Sequence, residues 1–299
     1  MKRSMAMLAG LLLAAALTAA QAQKPGLKVF VSADMEGIWG VVHSDQTDSS
    51  SPEYGPARRW MTEDVNAVVA GLFEAGATEV VVNDSHGSMR NIIPDELDPR
   101  ASLISGSPKP LSMMQGIGEA FQACLFIGYH SQAGTEAAIL DHTISGSTVY
   151  AVRVNGAELP EMGLNAAIAG VYGVPVVMVS GDTSLCTRAK TLLGPGTVAI
   201  AVKEGMGRYA ARLFPRDEAR KALRDGARDA LLKRAGAKVF RIEPPCRFEI
   251  AFHTSGQAEM SMLLPGVVRK DPRTAVFTAN DYLEGFKLMR AMIALGSGR

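Results

Sequence analysis

The sequence predicts an α/β fold: a mostly parallel sheet with helices on both faces, plus a smaller C-terminal α+β domain. Three observations predict it. Short apolar runs rich in β-branched residues alternate with segments of helical period up to about residue 204. Acidic and histidine residues follow the ends of several runs, where open α/β sheets place their sites. Near residue 205 the composition shifts to a strongly charged helical stretch followed by short strands.

The elements follow in order. A polar lead, 23–26, precedes a strand at 27–33. The long loop 34–55 carries Trp39, His43 and a Ser/Asp-rich tract; loops of this length inside a domain are often functional. Trp39, three residues after Glu36, is placed either in the pocket wall or in the core. Residues 57–75 have helical period, which Gly76 ends. The run 78–83, TEVVVN, is a second buried strand, and 103–105 a third. Residues 111–121 read as a helix with Met and Leu on one face, and 123–129, ACLFIGY, as another core strand. A loop with His142 leads to a strand at 149–155, whose Asn155-Gly156 is a turn signal. Then come a helix at 161–172, a strand at 175–180, a helix at 184–193 and a strand at 197–202. Beyond 205, residues 215–235 form a charged helix, 238–242, 247–253, 260–264 and 274–278 read as strands, and 282–294 as a closing helix.

Length and composition bound the classes. The 299 residues, 47% hydrophobic and 20% charged, suffice for one large or two modest domains. Residues 1–22 read as a secretory signal peptide: Lys2 and Arg3 are basic, 5–17 is apolar, and Ala20-Gln21-Ala22 is an A-x-A cleavage site. The apolar run is short for a spanning helix, so the expectation is cleavage after Ala22 and a periplasmic or secreted protein with no membrane segment in its mature form. Removing Lys2 and Arg3 changes the formal charge from +1 to −1, a balance that offers nothing to nucleic acid or an anionic membrane. The expected organisation is 1–22 signal, 23–204 metal-binding catalytic domain and 205–299 smaller α+β unit. The three cysteines show no C-x-x-C spacing. Cys124 lies in a predicted core strand, which leaves Cys186 and Cys246 as the only candidate disulfide pair.

The chemistry concentrates at strand ends. Asp34 and Glu36 are two residues apart, and in an extended chain positions i and i+2 face the same side. Both carboxylates thus aim at one point past the first strand, an arrangement suited to a cation held by oxygen. Of five histidines, His86 and His130 follow core strands, in Asp84-Ser85-His86 and Tyr129-His130. A lone strand-end histidine is more often structural, and Glu161 alone is an ordinary first-turn acid. A parallel sheet, however, brings both histidines near Asp34 and Glu36. Two such sets around a shared carboxylate hold two zinc-type ions about 3.5–4 Å apart, and nitrogen with carboxylate oxygen suits zinc better than magnesium.

Asp34-Met35-Glu36-Gly37, Asn83-Asp84-Ser85-His86, Gly128-Tyr129-His130 and Glu161-Met162-Gly163-Leu164-Asn165-Ala166 together resemble the D-aminopeptidase (DppA-type) family of metallopeptidases, peptidase family M55. The resemblance runs from about residue 27 to 295 and includes LISGSPKPLSM at 103–113, 177–182 and Gly256-Gln257-Ala258-Glu259. It implies two zinc ions per subunit, held by Asp34, Glu36, His86, His130 and Glu161, with Asp34 bridging. It implies His142 as catalytic base or nucleophile, although the interval from His130 to His142 is one residue longer than the family pattern. It also implies release of N-terminal residues such as D-Ala from short peptides, and a homo-oligomer, a decamer of two stacked pentamers whose channel the C-terminal unit helps form. His43 and His253 match no family site. Ligands do not fix leaving group or stereochemistry, so a metal-dependent amidase or esterase on the same scaffold is the alternative enzyme, and a periplasmic binding protein the non-catalytic one.

Overall fold

The computed structural model describes residues 26–298. The signal-peptide expectation at 1–22 lies outside them. In chain order the elements are β1 (Lys28–Ala33), α1 (Tyr54–Glu74), β2 (Glu79–Asp84), β3 (Ala101–Ile104), β4 (Ala123–Ile127), β5 (Val149–Val154), β6 (Ala157–Glu158), α2 (Glu161–Val171), β7 (Val176–Asp182) and α3 (Thr183–Leu193). There follow β8 (Val198–Gly207), β9 (Ala210–Leu213), α4 (Arg216–Leu232), β10 (Cys246–Phe252), α5 (Ser255–Ser261), β11 (Val268–Asp271), β12 (Thr274–Ala279) and α6 (Tyr282–Ser297).

Two sheets result. The larger runs β3-β2-β1-β4-β7-β8-β9 and is parallel except for β9. The smaller, β11-β12-β10-β5-β6, is antiparallel. It takes β5 and β6 from before residue 205 and β10–β12 from after it, while β9 and α4 belong with the larger sheet.

Strand alternation sorts the core into two layers. From β1 and β4, Phe30, Cys124 and Phe126 join the cluster under α2, α6 and the smaller sheet. Val29, Val31, Ala33, Leu125 and Ile127 join the cluster under α1 and α4. Each buried Val, Leu, Ile or Phe among them contributes about 1.5–3 kcal/mol over exposure. Charged α4 buries Ala219, Leu223, Ala227 and Leu231 and keeps its Arg/Asp pairs outside.

Four expectations need correction. Residues 111–121 hold only a 3-10 turn, Ser112–Met114, because the chain turns with positive φ at Ser112 and Gly116. Residues 238–242 form no strand; the backbone of Phe240 crosses against Gly170 of α2, whose added Cβ would lie 1.8 Å from Phe240 O. The span 260–264 ends helix α5, which the capping box of Thr254 and Gln257 starts. Cys186 and Cys246, on α3 and β10, are buried free thiols, as is Cys124. Among the described residues no helix is long and apolar enough to cross a membrane.

Candidate metal centre

Strand order builds the site. β1 lies between β2 and β4, with Ala33 level with Asp84 on one side and Ile127 on the other. The chains leaving these strands stay tied: Asp34 N donates to Ile127 O at 2.8 Å, and Ser85 N donates to Ala33 O at 2.8 Å. Asp34 therefore emerges with His86 on one flank and His130 on the other. Two glycines permit the close passage of these loops. A Cβ on Gly37 would sit 2.0 Å from Tyr129 O, and Gly128 has φ +70° with Asp34 O 2.3 Å from where its Cβ would be. Glu161 arrives from the first turn of α2.

The structure brings all six predicted residues together. His86 Nδ1 lies 3.1 Å from Glu36 Oε2 and 3.4 Å from Asp34 Oδ1. His130 Nε2 lies 3.5 Å from Asp34 Oδ2 and 3.3 Å from Glu161 Oε1. His142 Nε2 lies 3.9 Å from Glu36 Oε1 and 3.6 Å from Glu161 Oε1, and its ring stacks on His130 at 3.9 Å. Two ligand groups, Asp34-Glu36-His86 and Asp34-His130-Glu161, share Asp34; a third, Glu36-His130-His142, overlaps both. In each, the donor atoms lie within 4.8 Å of one another.

The donor set fits a dication. Asp34, Glu36 and Glu161 are all buried, and three buried carboxylates demand compensating charge. Burial, then the Glu36 charge, push Asp34 up to about 7. Burial favours neutral His130, but Glu161, Glu36 and Asp34 outweigh it and hold it up at about 10. His86 is likewise held well above its usual range by Glu36 and Asp34 against burial. Burial raises Glu161, yet His130 and His142 bring it to about 2. His142 differs: burial, then the His130 charge, push its pKa down, and its Nδ1 pairs with Leu140 O at 2.8 Å.

Several supporting residues escape sequence reasoning. Lys203, fully buried on β8, donates to the carbonyls of Glu36, Ile38 and Val41. Burial pushes it down to about 7, while the charges of Asp182, Asp64 and Glu36 oppose that shift and three carbonyl acceptors favour the ammonium. Arg208 pairs with the carbonyl and carboxylate of Asp141, fixing the loop that carries His142. Arg290 of α6 lines the cavity. Nothing local in sequence signals any of the three.

Motif residues outside the cluster are scaffold. Asp84 accepts from Asn91 N and Ile92 N at 2.6 and 2.7 Å, and Asn91 Nδ2 donates to His86 O at 2.7 Å. Tyr129 and Asn165 meet beneath the site at 3.0 Å. Trp39 donates from Nε1 to Phe214 O and meets Trp60 edge-on, in the layer under α1 and α4. His43 caps a 3-10 turn, and His253 is exposed beside Tyr150.

The cavity over the cluster encloses about 250 Å³. Its wall includes Asp34, Glu36, His86, His142, Glu161 and Arg290.

Residues 27–291 match the profile of peptidase family M55, described as D-aminopeptidase. The D-aminopeptidase of Bacillus subtilis (strain 168) is 38% identical over 275 residues, covering 90% of this chain and 97% of that protein. A solved structure superposes with a TM-score of 0.89 at 36% identity, covering 91% of this chain and 99% of the other; it is described as the Zn-dependent D-aminopeptidase DppA from Bacillus subtilis, a self-compartmentalizing protease.

Proposed function

This chain belongs to peptidase family M55, the D-aminopeptidases, and from that premise we propose that it is a two-zinc aminopeptidase releasing N-terminal D-amino acids, D-alanine among them, from short peptides. The observation that carries the two-metal reading is the pair of ligand groups sharing Asp34. Asp34, Glu36 and His86 would hold one ion, and Asp34, His130 and Glu161 the other. Zinc so held supplies carbonyl polarisation and a bound water of pKa about 7.

The chain's own groups do the rest. His142 uses Nδ1 as donor to Leu140 O, which leaves the Nε2 lone pair facing Glu36 and Glu161. A neutral imidazole in that tautomer takes the proton of the attacking water and returns it to the departing amine. Base rather than nucleophile is the role this geometry favours.

Export and assembly belong to the same proposal. The basic start, apolar run and A-x-A of residues 1–22 support a periplasmic location. DppA is described as self-compartmentalizing, and here Met206, Tyr209 and Leu213 of the β8–β9 hairpin expose 73%, 52% and 38% of their surface. These features support a homo-oligomer, read as a decamer. The function is tested by supplying zinc to the mature protein with D-Ala-D-Ala or L-Ala-L-Ala. Alanine release from the D-dipeptide alone is expected; release from the L-dipeptide alone, or from neither, overturns the D-aminopeptidase reading.

A further inference from the structure

We propose that Arg290 binds the C-terminal carboxylate of the substrate and so makes this enzyme selective for very short peptides with a free carboxyl end. The inference rests on the peptidase reading above and extends it to the far end of the substrate. Four observations carry it.

First, among the described residues Arg290 is the one lysine or arginine in the wall of the cavity that also exposes Asp34, Glu36, His86, His142 and Glu161. Second, it is placed there by the fold. On α6 it stands one turn from buried Phe286 and Ile293, at the edge of the apolar face. Tyr282 Oη donates to Leu164 O at 2.8 Å, fastening α6 to α2, the helix that starts with Glu161. Third, Arg290 is half-buried, it feels the Glu161 charge, and among the described residues it makes no hydrogen bond or ion pair. Arg208, whose guanidinium lies beside Gly146 of the cavity wall, is by contrast paired with Asp141. A desolvated guanidinium without a carboxylate is costly and presents a fork that matches one. Fourth, one cavity of about 250 Å³ is shared by Arg290 and the acidic and histidine cluster, so a single small ligand can touch both.

A dipeptide carries an ammonium at one end and a carboxylate at the other, and Arg290 is the side-chain cation in this wall whose fork can receive the second. With both ends engaged, the scissile carbonyl is held by the two ends of its own substrate, and a longer peptide loses the carboxylate contact.

The test compares D-Ala-D-Ala with its C-terminal amide in the zinc-loaded wild type, Arg290→Ala and Arg290→Lys. Wild type should favour the acid over the amide by on the order of 100-fold in kcat/KM, chiefly through KM. Arg290→Ala should abolish that preference by lowering kcat/KM far more on the acid than on the amide, with the melting temperature near wild type, and Arg290→Lys should restore part of it. A second readout is independent of turnover: calorimetric binding of the ketomethylene isostere of D-Ala-D-Ala, as acid and as amide. An Arg290-dependent preference for the acid in binding, from a protein that hydrolyses no D-alanyl substrate, would remove the peptidase reading and leave this one standing. No preference in wild type, or equal losses on acid and amide in Arg290→Ala, overturns it.

Discussion

Replacing Lys203 by methionine removes a buried ammonium at nearly constant volume and tests how the first strand's loop is held. The Nζ donates to three carbonyls, at 2.6 Å to Glu36 O, 2.8 Å to Ile38 O and a short contact to Val41 O, and the residue has no exposed surface. Each carbonyl left without its donor costs about 1–3 kcal/mol. Relief from burying the ammonium offsets several kcal/mol of that sum, so the net loss is about 3 kcal/mol. At about 2–4 °C per kcal/mol for a chain of this size, the melting temperature should fall by about 6–12 °C. Because Glu36 is one of the three residues tethered, zinc affinity should fall as well. The assays are a thermal melt followed by circular dichroism and zinc retention on dialysis against a weak chelator. A variant that melts within a degree or two of wild type and keeps its zinc would refute the claim that Lys203 sets the loop.

Further outcomes follow from the same geometry. His142→Ala should lower turnover by about 10²–10⁴-fold, the usual worth of a general base, while zinc content stays at the wild-type level; unchanged turnover would remove His142 from the reaction. Zinc uptake at about pH 8 should release protons, because His130, held up at about 10, must shed its proton to bind a metal. Calorimetry in buffers of different ionisation enthalpy measures the number, and a release of zero would contradict the ligand set. The same coupling makes zinc affinity fall as pH drops. Gly37→Ala should prevent soluble folding or abolish metal binding, since the added methyl would meet Tyr129 O at 2.0 Å; an active, zinc-loaded variant would contradict the close packing of these loops.

Much of the site was legible because its residues lie at strand ends in a parallel sheet. The two-residue spacing of Asp34 and Glu36, and the buried runs before His86 and His130, predict convergence once β1 is flanked by β2 and β4. What stayed hidden depends on contacts distant in sequence. Lys203 meets Glu36 across 167 positions, and Arg208 meets Asp141 across 67. Arg290 joins the cavity only because the last helix docks on α2. The apolar span 260–264 reads as a strand by composition, yet the cap at Thr254 commits the segment to a helix. Likewise β5 reads as a strand without revealing that its partner is β10, nearly a hundred residues on.

The most direct test of the two-metal account is the zinc content of the purified wild-type chain beside its Asp34→Asn variant, by elemental analysis. Asp34 belongs to both of the groups proposed to hold the ions. Two zinc ions per chain, falling to one or fewer in Asp34→Asn with loss of activity, is the expected result. A fully active wild type with one zinc or none, or an Asp34→Asn variant that keeps two, would contradict the central claim.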